Sequence, residues 1–224
     1  MLANLRAYHR PVTVVEAIGL LREGAALLGG GTELLGLDDD RLEAVIDLAP
    51  LSLDYIRVAD EVVRIGAMTT LKRLADDEAV QGLAGGILGR AIRQAAPATI
   101  RAAATLGGTL AGSKGGEEIP TVLLALGARV SLATPDPVEM PLALMLANKA
   151  DALAGAIITE VTVPLTAAGG GFAFVSRTPA DRALLCAAAV GDRVIVSDGR
   201  MVSEEYRREV APVLVRRALG EAIA

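Results

Sequence analysis

Two glycine-rich segments contain the residues of this sequence that could hold a ligand. The first, GGGTELL, spans residues 29–35, and the second, IRAAATLGGTLAGSKGG, spans residues 100–116. Glycine has no Cβ and accepts positive φ angles, so successive backbone N–H groups in such segments can converge on an anion. Thr32, Thr105 and Thr109 add hydroxyl donors. The pattern predicts a phosphate-cradling site, although ordinary tight turns would explain the glycines equally well.

The rest of the composition argues against several other kinds of site. Neither segment contains Gly-Lys-Ser/Thr or a clean G-x-G-x-x-G, so a P-loop or a Rossmann site is not expected. With one histidine, His9, and one cysteine, Cys186, the chain cannot form an intrachain disulfide or an all-cysteine metal site. The formal net charge of −5 argues against a nucleic-acid partner. Redox chemistry would therefore need a borrowed cofactor.

The distribution of apolar residues indicates whether the chain would enter a membrane or be secreted. No uninterrupted apolar stretch reaches the roughly 20 residues that cross a bilayer. The N-terminal residues MLANLRAYHRPV lack the apolar core of a secretory signal. We therefore expect a cytoplasmic protein with no membrane insertion.

The elements around the glycine segments mix helices and strands without a strict β-α-β order, which predicts the α+β class. Apolar runs predict strands at 25–28 and 44–48, and alternation about Asp60-Glu61 predicts a hairpin over 54–66. Gly169-Gly170-Gly171 predicts a linker to a separate, smaller tail. Further predicted helices begin at Thr13 (ending near Gly24), at Thr69 or Thr70, at 83, at 117, near 142 and at Ser203, and further strands at 129–133, 156–164, 172–177 and 192–201.

Several strings occur in a characteristic order: GGGTELL (29–35), VIDL (45–48), IGAMTTLKRL (65–74), IRAAATLGGTLA (100–111) and EIPTVLLALGA (118–128). Together they resemble the FAD-binding subunit of the molybdenum hydroxylases, such as the medium subunits of carbon monoxide dehydrogenase and of related aldehyde, nicotinate and xanthine dehydrogenases. The resemblance covers roughly residues 5–165. It implies a two-subdomain FAD-binding fold of the vanillyl-alcohol-oxidase/PCMH type.

The resemblance also implies a domain division. Residues 1–165 would form the FAD-binding domain, with a small α/β subdomain over about 1–53 and a larger subdomain over about 54–165. Residues 172–224 would form a truncated α+β C-terminal subdomain, because the family has about a hundred residues after the equivalent of VTVP and this chain has about sixty.

By the same resemblance, FAD would be held by both glycine segments. The first would bind the FAD pyrophosphate through backbone amides, the second would clamp the diphosphate from the other side, and a carboxylate would accept hydrogen bonds from nucleotide hydroxyls. Ala104 or its neighbours would line the adenine or ring pocket. The implied cofactor-binding residues are Gly29, Gly30, Gly31, Thr32, Glu33, Leu34, Thr105, Gly107, Gly108, Thr109 and Glu118.

The sequence departs from the family pattern at three places. Thr109 and Lys114-Gly115 stand where the family has asparagine and Ser-Pro, so Lys114 either approaches the diphosphate or points into solvent. A lysine that the family often has near the start of the C-terminal subdomain is absent, and Arg177 is the nearest cation. The third departure is the short tail, which would hold FAD loosely or only inside a complex.

The implied function is electron transfer without a catalytic side chain or a metal site on this chain. A molybdopterin-binding large subunit would oxidise the substrate, a [2Fe-2S] small subunit would pass the electrons on, and FAD here would deliver them to NAD, a quinone or oxygen. Two alternatives stay open. One is a non-catalytic assembly subunit with a degenerate FAD site, and the other is a stand-alone flavin reductase acting on a cell-wall nucleotide precursor.

Overall fold

A small parallel sheet begins the chain. The computed structural model describes residues 4–36, 41–178, 181–198 and 202–223. Strands β1 (Ala7–His9), β2 (Ala25–Leu28) and β3 (Ala44–Asp47) pair in the order β1-β3-β2. Helix α1 (Val14–Gly19) lies between the first two strands, and the Thr13 hydroxyl accepts from the Glu16 amide at its start. The sequence predicted β2, β3 and the cap correctly, missed β1, and placed the helix end too late.

A five-stranded antiparallel sheet follows, in the order β4-β5-β8-β6-β7. The predicted hairpin is confirmed as β4 (Ile56–Ala59) and β5 (Val62–Gly66), and positive φ angles of 53° and 60° at Asp60 and Glu61 form its turn. The other strands are β6 (Arg129–Ala133), β7 (Val138–Pro141) and β8 (Ile157–Pro164). Strand β7 was not predicted.

Eight helices pack around this sheet in the described part of the chain. Buried leucines and isoleucines, such as Ile65, Leu88, Leu106 and Leu123, join the sheet and the helices in one core. The helix predicted from residue 83 begins later, because Ala84 and the two glycines after it have positive φ angles. The helices are α2 (Leu71–Asp76), α3 (Glu78–Gly82), α4 (Ile87–Ala95), α5 (Ala98–Ala103), α6 (Leu106–Gly112), α7 (Glu118–Ala125), α8 (Leu142–Ala147) and α9 (Lys149–Ala152).

The second glycine-rich segment is largely helical, which corrects the prediction of a loop over 100–116. The Thr105 hydroxyl caps α6 by accepting from the Gly108 amide at 3.2 Å. Leu106 and Leu110 are fully buried in the core. Burial and capping together outweigh the low helix propensity of the glycines.

A third sheet is antiparallel, with β9 (Gly170–Val175), β10 (Leu185–Val190) and β11 (Arg193–Asp198) in the order β11-β10-β9. Helix α10 (Glu204–Ile223) packs across it and continues through Pro212, so no new helix starts there. The Ser203 hydroxyl accepts from the Tyr206 amide at 3.2 Å, which confirms the predicted cap.

The prediction of a glycine linker at 169–171 is wrong. Gly170 and Gly171 are buried in β9 and pair with β10. A Cβ on Gly171 would lie 2.1 Å from the Ala218 carbonyl oxygen, and one on Gly170 would lie 2.6 Å from that of Ala84. These glycines permit close packing against α10 and the helical layer, and they do not provide flexibility.

The third sheet shares a core with the second. Ala188 and Val190 on β10 belong to the same buried cluster as Leu88 and Val122. The first two sheets lie within the ranges predicted for the two FAD-binding subdomains, whereas the third begins at Gly170, two residues before the predicted C-terminal range; the domain boundaries stay a prediction. No helix among the described residues is long and apolar enough to span a membrane.

We expect Gly171→Ala to lower the free energy of unfolding by about 1–3 kcal/mol, because the new methyl group overpacks the contact between β9 and α10. Gly220→Ala on α10 is the matched control, since a Cβ there meets no atom within 4 Å. The control is expected to raise stability by about 0.5 kcal/mol through helix propensity. Urea unfolding measures both, and equal stability of the Gly171→Ala variant and the parent would contradict the close approach.

Candidate cofactor-binding site

The first glycine turn follows directly after β2 and passes very close to the helical layer. A Cβ on Gly30 would lie 1.8 Å from the carbonyl oxygen of Ala103, so only glycine fits. Gly31 has a φ of 71°, which glycine adopts without strain. In the described part of the chain, the amides of Gly30, Gly31 and Thr32 donate to no protein acceptor. They are therefore available to an anion.

Thr105 brings the second glycine segment to the first. Its side chain is 3% exposed, and its hydroxyl oxygen lies 2.8 Å from where a Cβ of Gly29 would be. An isolated bridge between Thr70 and Thr105 holds the start of α6 beside the start of α2. The two segments thus meet at Gly29 and Thr105, as a shared phosphate site requires.

The amides of the second segment are already engaged. The Leu106 amide donates to Thr69 O at 3.0 Å, the Gly107 amide to Ala67 O at 2.8 Å, and the Gly108 amide to the Thr105 hydroxyl. These three amides are therefore not free to bind a diphosphate in this conformation, and the predicted contact of this segment with the diphosphate stays a prediction. The segment still offers two features to a ligand. The Thr105 hydroxyl keeps its own proton to donate, and Gly108 has no side chain to fill the space beside it.

Two cavities meet at this junction. The first has a volume of about 630 Å³ and the second about 520 Å³, and Leu27, Gly29, Thr105, Gly108 and Ala111 line both. The first is mostly apolar and is lined also by Leu21, Arg22, Ala25, Leu48, Ala67, Met68, Gly107, Leu153, Gly155, Ala156, Ile157 and Ile158. All of the predicted site residues except Gly107 line the second cavity, together with Ala104, Pro97 and Ile100.

Two carboxylates at the start of α7 border the second cavity. Glu118 is 2% exposed, and burial raises the pKa of its carboxyl above the ordinary value, against the hydrogen bond from the Ala183 amide. Burial likewise raises the pKa of Glu117, which accepts from the Lys114 amide at 2.9 Å and 3.0 Å. The sequence identified Glu118 and missed Glu117, although adjacent acids at a helix start were visible.

One cation borders each cavity among the described residues: Arg22 lines the first and Arg182 the second. Arg182 lines the second cavity and ion-pairs with Glu33 and, at 3.5 Å, with Glu117. Arg177 is exposed and does not line either cavity, and the same holds for Lys114. No sequence signal marked Arg182, because its partner Glu33 is 149 residues away.

The thiol of Cys186 and possible metal ligands are the remaining reactive groups to place. Cys186 is fully buried on β10, and burial raises the pKa of its thiol, so the thiolate form is disfavoured. No group of three or more His, Cys, Asp or Glu side chains among the described residues could hold a metal ion.

The residues present fit a dinucleotide such as FAD. Free amides at Gly30–Thr32 and the Thr105 hydroxyl suit a diphosphate, because successive N–H groups bind anions. The two cavities extend from that point and give space for a ring system at each end. A Cβ on Gly108 would point into the cleft and meet only the Thr105 hydroxyl, at 3.0 Å.

Comparisons with known proteins agree with this geometry. Residues 3–166 match the family model described as the FAD binding domain in molybdopterin dehydrogenase. The chain is 30% identical to the carbon monoxide dehydrogenase medium chain of Afipia carboxidovorans over 238 aligned residues, covering 96% of this chain and 81% of the relative. It is 33% identical to the 6-hydroxypseudooxynicotine dehydrogenase complex subunit alpha of Paenarthrobacter nicotinovorans, covering 80% of this chain and 64% of that relative.

A solved structure has the same fold. Carbon monoxide dehydrogenase from Hydrogenophaga pseudoflava, in a form lacking the Mo-pyranopterin moiety, superposes with a TM-score of 0.83 at 24% identity, covering 100% of this chain and 99% of the other. That likeness establishes the α+β, PCMH-type FAD-binding fold. With the family match over most of the chain, the conclusion is that this protein belongs to the FAD-binding medium subunits of the molybdopterin dehydrogenase family.

Proposed function

We propose that this chain holds FAD across the two cavities and passes electrons within a molybdenum-containing hydroxylase or dehydrogenase complex. The observation that carries the proposal is the meeting of Gly29–Thr32 with Thr105 at the junction of the cavities. A diphosphate placed at that junction would let the two ring systems of a dinucleotide extend in opposite directions.

The residues of the cleft would have different roles. The amides of Gly30, Gly31 and Thr32 and the hydroxyl of Thr105 bind the diphosphate. Glu118 takes hydrogen bonds from nucleotide hydroxyls, since its carboxylate has lone pairs beyond the one that the Ala183 amide occupies. The other proposed cofactor-binding residues line or shape the cleft: Gly29, Glu33, Leu34, Gly107, Gly108 and Thr109.

Gly107 acts indirectly in this scheme. It is buried, and a Cβ there would lie 2.9 Å from the Ala67 Cβ, so the glycine lets α6 pack against the end of β5. Its amide fixes the same contact through Ala67 O. Gly107 therefore positions Thr105 and Gly108.

FAD, when bound, accepts single electrons and delivers them in pairs. We propose a molybdopterin-binding large subunit and a [2Fe-2S] small subunit as partners, and NAD, a quinone or oxygen as the external acceptor. The names of the relatives support a multi-subunit dehydrogenase complex. This chain's own residues bind, orient and shield, and none has to act as an acid or base. A cytoplasmic location stays a prediction.

The first test is direct binding. We expect purified protein to take up FAD and to show flavin absorbance in the visible range, and Gly108→Leu to weaken binding by about 100-fold or more, because the side chain would occupy the ligand's space. Gly82→Leu is the matched control, since Gly82 is exposed on α3 and lines neither cavity, and a Cβ there meets no atom within 4 Å.

Circular dichroism checks that both variants are folded. Binding of FAD to Gly108→Leu with the affinity of the parent would show that the site is assigned wrongly. Gly30 is less suitable for this test, because any side chain there collides with the Ala103 backbone whether or not a ligand binds.

The second test separates electron transfer from a purely assembling role. In the purified complex, Gly108→Leu is expected to remove FAD while leaving the subunits, molybdenum and iron–sulfur clusters in place. Electron delivery to the external acceptor should then fall by about 100-fold or more, because the cofactor carries the chemistry. Stopped-flow absorbance would still show substrate-dependent reduction of the clusters. Unchanged turnover in the FAD-free complex would instead support the non-catalytic assembly subunit.

A further inference from the structure

The second cavity has an unfavourable charge balance for a ligand with two phosphate charges. Of the described residues that line it, Glu33, Glu117 and Glu118 are acidic and Arg182 alone is basic. With all four charged, the lining contributes −2, from three carboxylates and one guanidinium. Like charges at close range disfavour binding, so the cleft depends on whatever offsets its carboxylates.

Arg182 links three parts of the chain across this cavity. One guanidinium nitrogen pairs with Glu33 in the first glycine turn, and the other lies 3.5 Å from Glu117 at the start of α7. Arg182 itself lies in the connection between β9 and β10. It is 57% exposed, so the ion pairs alone add little to the stability of the fold.

Residues 181–184, which include Arg182, have backbone contacts that do not involve those ion pairs. The Ala183 amide donates to the Glu118 carboxylate, and the Leu184 amide donates to Val175 O at 2.8 Å. Asp181 accepts from the Thr178 amide at 3.1 Å. Ala183 is also buried, at 6% exposure. The backbone would therefore keep its place if the Arg182 side chain were shortened or neutralised.

We propose that Arg182 is the counter-ion of the cofactor cleft, whose guanidinium offsets the carboxylates of Glu33 and Glu117 and so permits an anionic dinucleotide to bind. The proposal rests on the proposed function, since it presumes that FAD occupies the cleft. It assigns to the connection between β9 and β10 a part in cofactor affinity. Arg182 acts through these carboxylates and the field of the cleft, and is thus a positioning residue.

Replacing Arg182 by a neutral residue should change the affinity for FAD in a way that can be measured. The net charge of the side chains that line the cavity changes from −2 to −3. Because Arg182 is exposed, dissolved salt screens the effect of this change on a charged ligand. The loss of affinity should therefore be moderate and should depend on salt. A loss caused by disordered packing would not depend on salt in this way.

The experiment measures the Kd of FAD by quenching of flavin fluorescence, for the parent, R182Q, R182K and the double variant E33Q/R182Q, at low and high sodium chloride. We expect R182Q to bind FAD about tenfold more weakly than the parent at low salt, and less than threefold more weakly at about 0.5 M salt, where the Debye length is only a few ångströms. R182K should retain most of the affinity, and E33Q/R182Q should recover at least half of the loss on a logarithmic scale.

R177Q is the matched control, because Arg177 is an exposed cation of the same segment that lines neither cavity. It should bind FAD like the parent at both salt concentrations. Equal affinity of R182Q and the parent would overturn the proposal. So would a loss in R182Q that salt does not reduce, or a double variant no better than R182Q. Failure of the parent protein itself to bind FAD would overturn the proposed function instead.

Discussion

The approach of the Gly30 backbone to the Ala103 carbonyl determines where the cleft lies. These segments come from different layers, the turn after β2 and the end of α5, and no side chain could separate them without opening the junction. Because Gly29 likewise has no Cβ, it can sit against the Thr105 hydroxyl. The free amides of the turn then face the same space as Thr105. Backbone packing therefore creates the site, and side chains adjust it.

The sequence predicted the parts of the fold that depend on local patterns. Strand β2, strand β3 and the hairpin about Asp60-Glu61 were visible because alternation and turn residues are local signals. Glycine was ambiguous, since it serves both turns and close packing. Gly108 was predicted in a loop and lies in a capped helix, and Gly171 was predicted in a linker and lies in a buried strand. The cap at Thr105 with the burial of Leu106 and Leu110 decides the first case, and the tertiary contact with Ala218 decides the second.

In the candidate site, too, local sequence patterns and long-range contacts carry different information. The ordered strings contain much of the lining of the second cavity, including Thr32 and Glu118, because the glycine segments are contiguous in the sequence. The sequence could not reveal which partner each amide and each charged side chain of the site has. Whether the Gly107 amide is free depends on Ala67, and whether a cation reaches Glu33 depends on Arg182, which is far away along the chain. Such pairings are set by the assembled core.

The C-terminal sheet lies beside the second cavity, because the connection between β9 and β10 carries Arg182. Its Ala188 and Val190 are buried with α4 and α7, and its Ala183 amide holds the Glu118 carboxylate. Burial raises the pKa of Glu117 and of Glu118, and negative charge brought into the cleft by a ligand would raise the pKa of both further. An acidic protein can in this way hold an anionic cofactor. Free amides of one segment and a hydroxyl of another are the donors, and a neighbouring guanidinium or a proton offsets the charge of the carboxylates.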